Sequence, residues 1–215
     1  MNLLSMSKEQ LLTMLIARVI IILLILPLHE FAHAWVARLC GDDTADSKGR
    51  LTLNPFSHVD PFGAILLLLT GFGWAKPVPV DMRYFKKPKQ GMALTALAGP
   101  VSNFVLALLA LLCARLVYHQ YGALWDFIFD LLLTTAYLSI GLGLFNLIPI
   151  SPLDGSKVLF AFLPDSAYEK LMRYEKYGMI ALLILVWLGV GDNVLSTAIY
   201  NVYAAMINFV FRGIV

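Results

Sequence analysis

The sequence predicts an all-α, polytopic membrane protein, and three observations predict it. Hydrophobic residues make up 60% of the 215 and charged residues only 14%, with a mean hydropathy of +0.77, far from the composition of a soluble domain. Apolar runs on the scale of the roughly 20 residues a bilayer requires recur along the chain. Polar stretches rich in proline and glycine punctuate them. About five full transmembrane helices are expected, with a short re-entrant helix and a small extended or β segment near one face. One domain over residues 1–215 accommodates them.

The first span is expected over about 8–39. Gly41 and the polar run Asp42-Asp43-Thr44-Ala45-Asp46 close it. It is too long for a signal peptide and no small-residue cleavage site follows, so it reads as a retained helix. Residues 49–61 form a polar loop, and Asp60-Pro61 reads as an N-cap with a first-turn proline. The run Phe62–Thr70 is too short to span and reads as re-entrant. Lys76-Pro77-Val78-Pro79-Val80 cannot be helical and suits an extended edge strand. Spans over about 92–118 and 125–148 follow, the second broken by Pro149 and Pro152. Two more, about 174–190 and 194–211, flank a tight turn at Gly189–Asn193. Trp74 and Trp125 read as interfacial anchors. Cys40 and Cys113 form no metal or disulfide pattern, and His119 falls in a short solvated loop.

A net charge of +2 gives no basic surface for nucleic acid. Lys and Arg instead set orientation. If Phe62–Thr70 does not cross, 13 of the 16 share one side, counting the C-terminus there, and that side is expected to be cytoplasmic. The C-terminal ends of the first and third spans then lie at similar depth.

Those two ends carry the chemistry. His29-Glu30-Phe31-Ala32-His33 places two imidazoles four residues apart on one helical face, able to hold a divalent metal, with Glu30 placed to take a proton from water. Ionisable groups within a span cost roughly 2.5–3.5 kcal/mol each when charged at its centre, and a metal gives them a reason to be there. A catalytic zinc takes three protein ligands, and Asp154 is the candidate third, with Gly155 allowing an unusual backbone turn. The plainer reading is that Asp154 caps a short helix beginning at Ser156. His58 reads as a structural or interfacial residue, with an auxiliary or inhibitory metal ligand as the alternative.

These motifs together resemble the site-2 protease family of intramembrane zinc metalloproteases, over most of the chain. The His29–His33 stretch matches the family's metal motif. Asn146-Leu147-Ile148-Pro149 through Leu153-Asp154-Gly155 is similar to its N-x-x-P…L-D-G motif. Ala98-Gly99-Pro100 with Asn103 resembles its small-residue and Asn element, and Gly49–Asp60 resembles the compact bacterial and archaeal branch without a PDZ insertion. The resemblance implies one catalytic Zn2+ held by His29, His33 and Asp154, with Glu30 as general base. It implies hydrolysis of a peptide bond in or near a transmembrane segment of a membrane-protein substrate, in a multi-pass protein of the cell membrane with its site toward the cytoplasm. Asn146, Asn103 and Pro149 are the candidate substrate-binding residues, and Asn146 reads equally as a helix-end cap. The Lys76–Val80 segment could pair with substrate as an added strand or be a plain surface loop. Two other classes compete: a metal-ion transporter or channel, and an inactive membrane scaffold with a structural metal.

Overall fold

The computed structural model describes residues 7–164, 177, 178 and 180–213. Helix α1 (Lys8–Cys40) is a continuous apolar rod of 33 residues. Its start is fixed by a capping box in which Ser7 and Gln10 satisfy each other's backbone N–H groups. It ends on Gly41 at φ 110°, a left-handed cap that suits glycine. One turn before the His motif the helix widens into a π segment, Ile21–Ile25. Pro27 supplies the reason: it cannot donate to the carbonyl of Leu23, and its ring crowds that turn.

Helix α2 (Pro61–Thr70) is the predicted short insertion. Asp60 accepts from the Gly63 N–H at 2.8 Å, and Pro61 occupies the first turn, as the sequence suggests. The chain then doubles back. Val59 and Ala75 form an antiparallel bridge, and the Lys76 N–H donates to the His58 carbonyl at 2.7 Å. Entry and exit are therefore side by side, the hairpin form expected of a re-entrant helix. At its tip Arg18, buried in α1, donates to the Leu68 carbonyl at 2.6 Å, which caps the negative end of α2.

Helices α3 (Pro88–Val117) and α4 (Ala123–Asn146) complete the central layer. Helix α3 packs between α1 and α4. Its buried face carries Gly99, Asn103, Ala107, Leu111 and Ala114, mostly small residues that let helix backbones approach in lipid. Helix α5 (Asp154–Phe160) is short and packs on α3. Helices α6 (Ile180–Trp187) and α7 (Asp192–Val210) meet at 85°, with Gly189 and Gly191 at positive φ in the turn between them.

Two expectations change here. About five spans are expected, whereas the described residues hold three helices long and apolar enough to cross a membrane, or four if α6 and α7 count as one bent span. The start of the expected 174–190 span lies outside the described residues. The turn expected at Gly189–Asn193 is present, but the helix before it is described only over Ile180–Trp187. The C-terminus changes ends. Gly178 lies against Ser151 beside the motif end of α4. Val210, by contrast, accepts a hydrogen bond from Arg115, at the far end of α3. Arg212 thus belongs with Lys8 and Arg115, opposite the motif end, and not with the basic face. Second, no strand forms among the described residues. Residues 77–81 have no regular secondary structure, because Pro77 and Pro79 have no N–H to offer a neighbour. The Val78 and Asp81 N–H groups go instead to the side chains of Glu30 and Asp42.

The re-entrant hairpin depends on Gly63, where an added Cβ would fall 2.3 Å from the Trp74 carbonyl. Gly63→Ala is expected to destabilise the fold by about 1–3 kcal/mol. Thermal unfolding in detergent reads this as a lowered midpoint, and an unchanged midpoint would contradict the packing described.

Candidate metal centre

Three elements converge on one point. Helical spacing puts His29 and His33 on the same face of α1, and their Nε2 atoms lie 3.0 Å apart. The chain leaving α4 is broken by prolines and returns at α5, whose first residue is Asp154. Asp154 Oδ2 lies 3.2 Å from each Nε2. All three residues are between 4% and 8% exposed. The capping alternative for Asp154 fails: α5 begins at Asp154 itself, Leu153 holds the cap position, and no side chain caps the helix. Gly155 matters for a different reason than expected. Its φ is not positive; an added Cβ would meet the Leu147 carbonyl at 2.1 Å, so glycine allows α5 to fold tightly under the end of α4.

The protonation pattern follows from the neighbours. His33 Nδ1 is 2.7 Å from the Thr95 carbonyl, which can only accept, so Nδ1 carries the proton and Nε2 keeps its lone pair. His29 Nδ1 is 3.1 Å from Asn103 Nδ2. Amide nitrogen and oxygen positions are interchangeable by a flip, and with Asn103 Oδ1 toward the ring His29 likewise donates from Nδ1 and frees Nε2. Two imidazole lone pairs and a carboxylate oxygen then face one another. Asp154 Oδ2 is buried with no hydrogen-bond donor, and buried acceptors left so are costly. A cation removes the cost. The separations are close to the roughly 3.3 Å between ligands about 2.0–2.1 Å from a tetrahedral zinc. The donor set, two nitrogens and one carboxylate oxygen, is that of a catalytic site that keeps an open position.

Helix α3 forms the back wall. An added Cβ at Gly99 would stand 2.4 Å from His33 Nε2 and 2.6 Å from His29 Nε2, so only glycine lets α3 pass behind both rings. Pro100 follows inside the helix and cannot donate to the Ala96 carbonyl, loosening the turn that holds Thr95.

Glu30 is buried beside the triad, and its Oε2 accepts from the Val78 N–H at 2.9 Å. The strap 76–81 thus holds one carboxylate oxygen and leaves the other available. Its far end is tied where the Asp81 N–H donates to Asp42 Oδ2 at 2.7 Å. Arg83, hydrogen-bonded to the Asp81 side chain, pulls that carboxyl down to about 2. The Asp81–Arg83 pair therefore contributes above pH ~4 and is lost only as pH falls through about 2.

A cavity of about 550 Å3 opens on the triad, lined by His29, Glu30, His33 and Asp154 together with Trp74, Val78, Asn146 and Lys157. Asn146 lies on the cavity as expected, although its Nδ2 also donates to the Leu142 carbonyl. Asn103 does not line it. It is fully buried behind His29, so it orients a ring instead of facing substrate. Pro149 is exposed and off the cavity. Trp74 lines the cavity and packs on Phe62. His58 stays apart: it is buried, with Nε2 2.7 Å from the Thr52 carbonyl, and pins the base of the hairpin. Among the described residues His29, His33 and Asp154 are the only such cluster. Sequence reading missed Thr95, the Val78 N–H and Lys157. Only Lys157 left a trace, one helical turn beyond Asp154.

The chain is similar to known zinc metalloproteases. The family model described as Peptidase family M50 matches residues 17–124 and 116–189. YwhC of Bacillus subtilis, which bears the provisional name of zinc metalloprotease, is 43% identical over 182 residues, covering 82% of this chain and 83% of that protein. Rip2 of Mycolicibacterium smegmatis, provisionally named in the same way, is 29% identical over 76% of this chain and 64% of its own length. The zinc metalloprotease MJ0392 of Methanocaldococcus jannaschii is 33% identical over a shorter stretch, 36% of this chain and 22% of that protein. No solved structure matches the chain significantly.

Residues that orient metal-binding imidazoles are worth about 10–100-fold in metal affinity. Asn103→Leu is expected to weaken zinc binding by that factor, and Gly99→Ala to abolish stoichiometric zinc. Competition with a chelator, read by elemental analysis, checks both; wild-type affinity in either variant would contradict the role of that residue.

Proposed function

We propose, for a chain that belongs to peptidase family M50 and is therefore a zinc metallopeptidase of the membrane, that its substrate is a peptide bond in or near a transmembrane segment of another membrane protein. The observation that carries this reading is the seating of the His29–His33–Asp154 cluster and its cavity among membrane-length helices. A protease for soluble chains has no need to build its site there. A metal transporter or an inert scaffold would leave the buried Glu30, held beside the triad by a backbone N–H, without a task.

His29, His33 and Asp154 hold the metal in this proposal. Zinc, when bound there, polarises a carbonyl and lowers the pKa of water. Glu30 takes the proton of the attacking water and passes it to the leaving amine. Val78, through its N–H, keeps the Glu30 carboxylate turned toward the cavity. Asn146 and Lys157 are placed on the wall to meet the substrate backbone or the charge developing on its carbonyl oxygen. The strap has no N–H at Pro77 and Pro79 and a committed one at Val78, so pairing with an unwound substrate would use its carbonyls.

The site faces the cytoplasm in this proposal. Residues 38–91 and 149–176 carry 12 of the 16 Lys and Arg, and the side-by-side entry and exit of α2 keeps the first group on the motif end. Such an excess marks cytoplasmic loops.

Glu30→Gln is expected to keep zinc and to lose cleavage of a co-expressed membrane substrate by at least about 100-fold, the low end of general-base catalysis. Asp154→Asn is expected to lower zinc content in the purified protein. Cleavage persisting in the first, or full occupancy in the second, would overturn the assignment of that residue.

A further inference from the structure

A second cavity, of about 240 Å3, lies among α1, α2, α4 and α7. It shares Phe72, Gly73, Leu142 and Phe145 with the catalytic cavity. The rings of Phe72 and Phe145 meet edge-on, with centroids 5.7 Å apart, and stand between the two spaces. The lining is apolar apart from Tyr137 and Arg18.

Arg18 is the unusual member. It is only 8% exposed, lies inside an apolar span, and among the described residues has no carboxylate at ion-pair distance. One donor is spent on the Leu68 carbonyl. Its Nε–H is buried and has no partner. Leu68 lies in the last turn of α2, whose dipole already offsets part of the charge. What remains is a buried donor that calls for an acceptor, and the dipole lessens its need for a full negative charge. A membrane segment unwound for cleavage has such acceptors, since its carbonyls lose their helical partners where no water replaces them.

The spacing fits the same occupant. Arg18 precedes His29 by 11 residues on one helix, about 16 Å. An extended chain covers that in about five residues.

We propose that this second cavity is a substrate subsite: it takes an apolar side chain about five residues from the scissile bond, and Arg18 Nε–H donates to a substrate backbone carbonyl beside it. The proposal rests on the reading of the chain as a protease of membrane segments. It gives Arg18 two tasks, capping α2 and reading substrate, so substitution of Arg18 would mix folding with binding. The cavity can be filled from other walls instead. At Gly141 an added Cβ meets only Ile199, at 3.5 Å, and Leu195 lines the other side.

The test uses the full chain carrying Glu30→Gln, zinc-loaded in detergent. The probe is a synthetic 25-residue transmembrane peptide of Leu and Ala with a central Asn-Pro helix break and one photoreactive leucine, moved residue by residue from the break. Labelling of catalytic-cavity residues is expected with the probe at the break, and labelling of the Tyr137–Leu142 stretch and Leu195 with the probe about five residues away. Gly141→Leu, or Leu195→Trp should the first variant disturb helix packing, is expected to reduce the distal labelling by about ten-fold or more, the scale of one lost buried aliphatic side chain, with the proximal labelling retained. Proximal labelling without distal labelling, or distal labelling indifferent to both filling variants, would overturn the subsite alone. Labelling at neither place would overturn the membrane-segment reading beneath it.

Discussion

The structure turns on three electron-pair donors held within 3.2 Å of one another in an apolar bundle. Without a cation that arrangement is repulsive and desolvated at once. With one it would tie the N-terminal helix to the distant segment around Asp154. Much of the local architecture exists to permit it. The π segment of α1 absorbs Pro27 just ahead of the His pair. Gly99 removes every side-chain atom from the wall behind the rings, and Gly155 lets α5 tuck under α4. The Thr95 carbonyl and the Asn103 side chain hold the two rings in place.

The re-entrant hairpin is the second organising device. Buried Arg18 caps its tip, buried His58 pins its base, and the returning strap delivers one backbone N–H to Glu30. The prolines on either side of Val78 keep the strap out of a sheet. This leaves the Val78 and Asp81 N–H groups to side chains of α1 and the loop after it. The same strap walls the cavity at the triad, so the N–H that holds Glu30 is continuous with the cavity surface.

Much of this is legible in the amino-acid sequence. The His29–Glu30–His33 spacing fixes a helical face, and the proline-broken end at Pro149 and Pro152 brings Asp154 to matching depth. The re-entrant run follows from length alone, and its cap from Asp60-Pro61. What stays hidden depends on neighbours far apart in sequence. The N–H of Val78 meets a carboxylate 48 residues away, and Asn103 turns to His29 instead of the cavity; neither choice is encoded in spacing. The turn at Gly189–Asn193 is legible from its glycines, but its 85° angle is not, nor is the placement of the C-terminal end opposite the motif end, which depends on Val210 meeting Arg115. Trp74 is ambiguous for a similar reason: an aromatic ring suits a membrane interface and a cavity wall equally.

The central claim concerns which atoms surround the metal, and X-ray absorption at the zinc edge of the purified full chain reads that directly. Four nitrogen or oxygen neighbours at about 2.0–2.1 Å, with the outer-shell scattering of two imidazoles, is the expected spectrum. A third imidazole, which would bring in His58 or His119, or a sulfur neighbour near roughly 2.3 Å from Cys40 or Cys113, would contradict it.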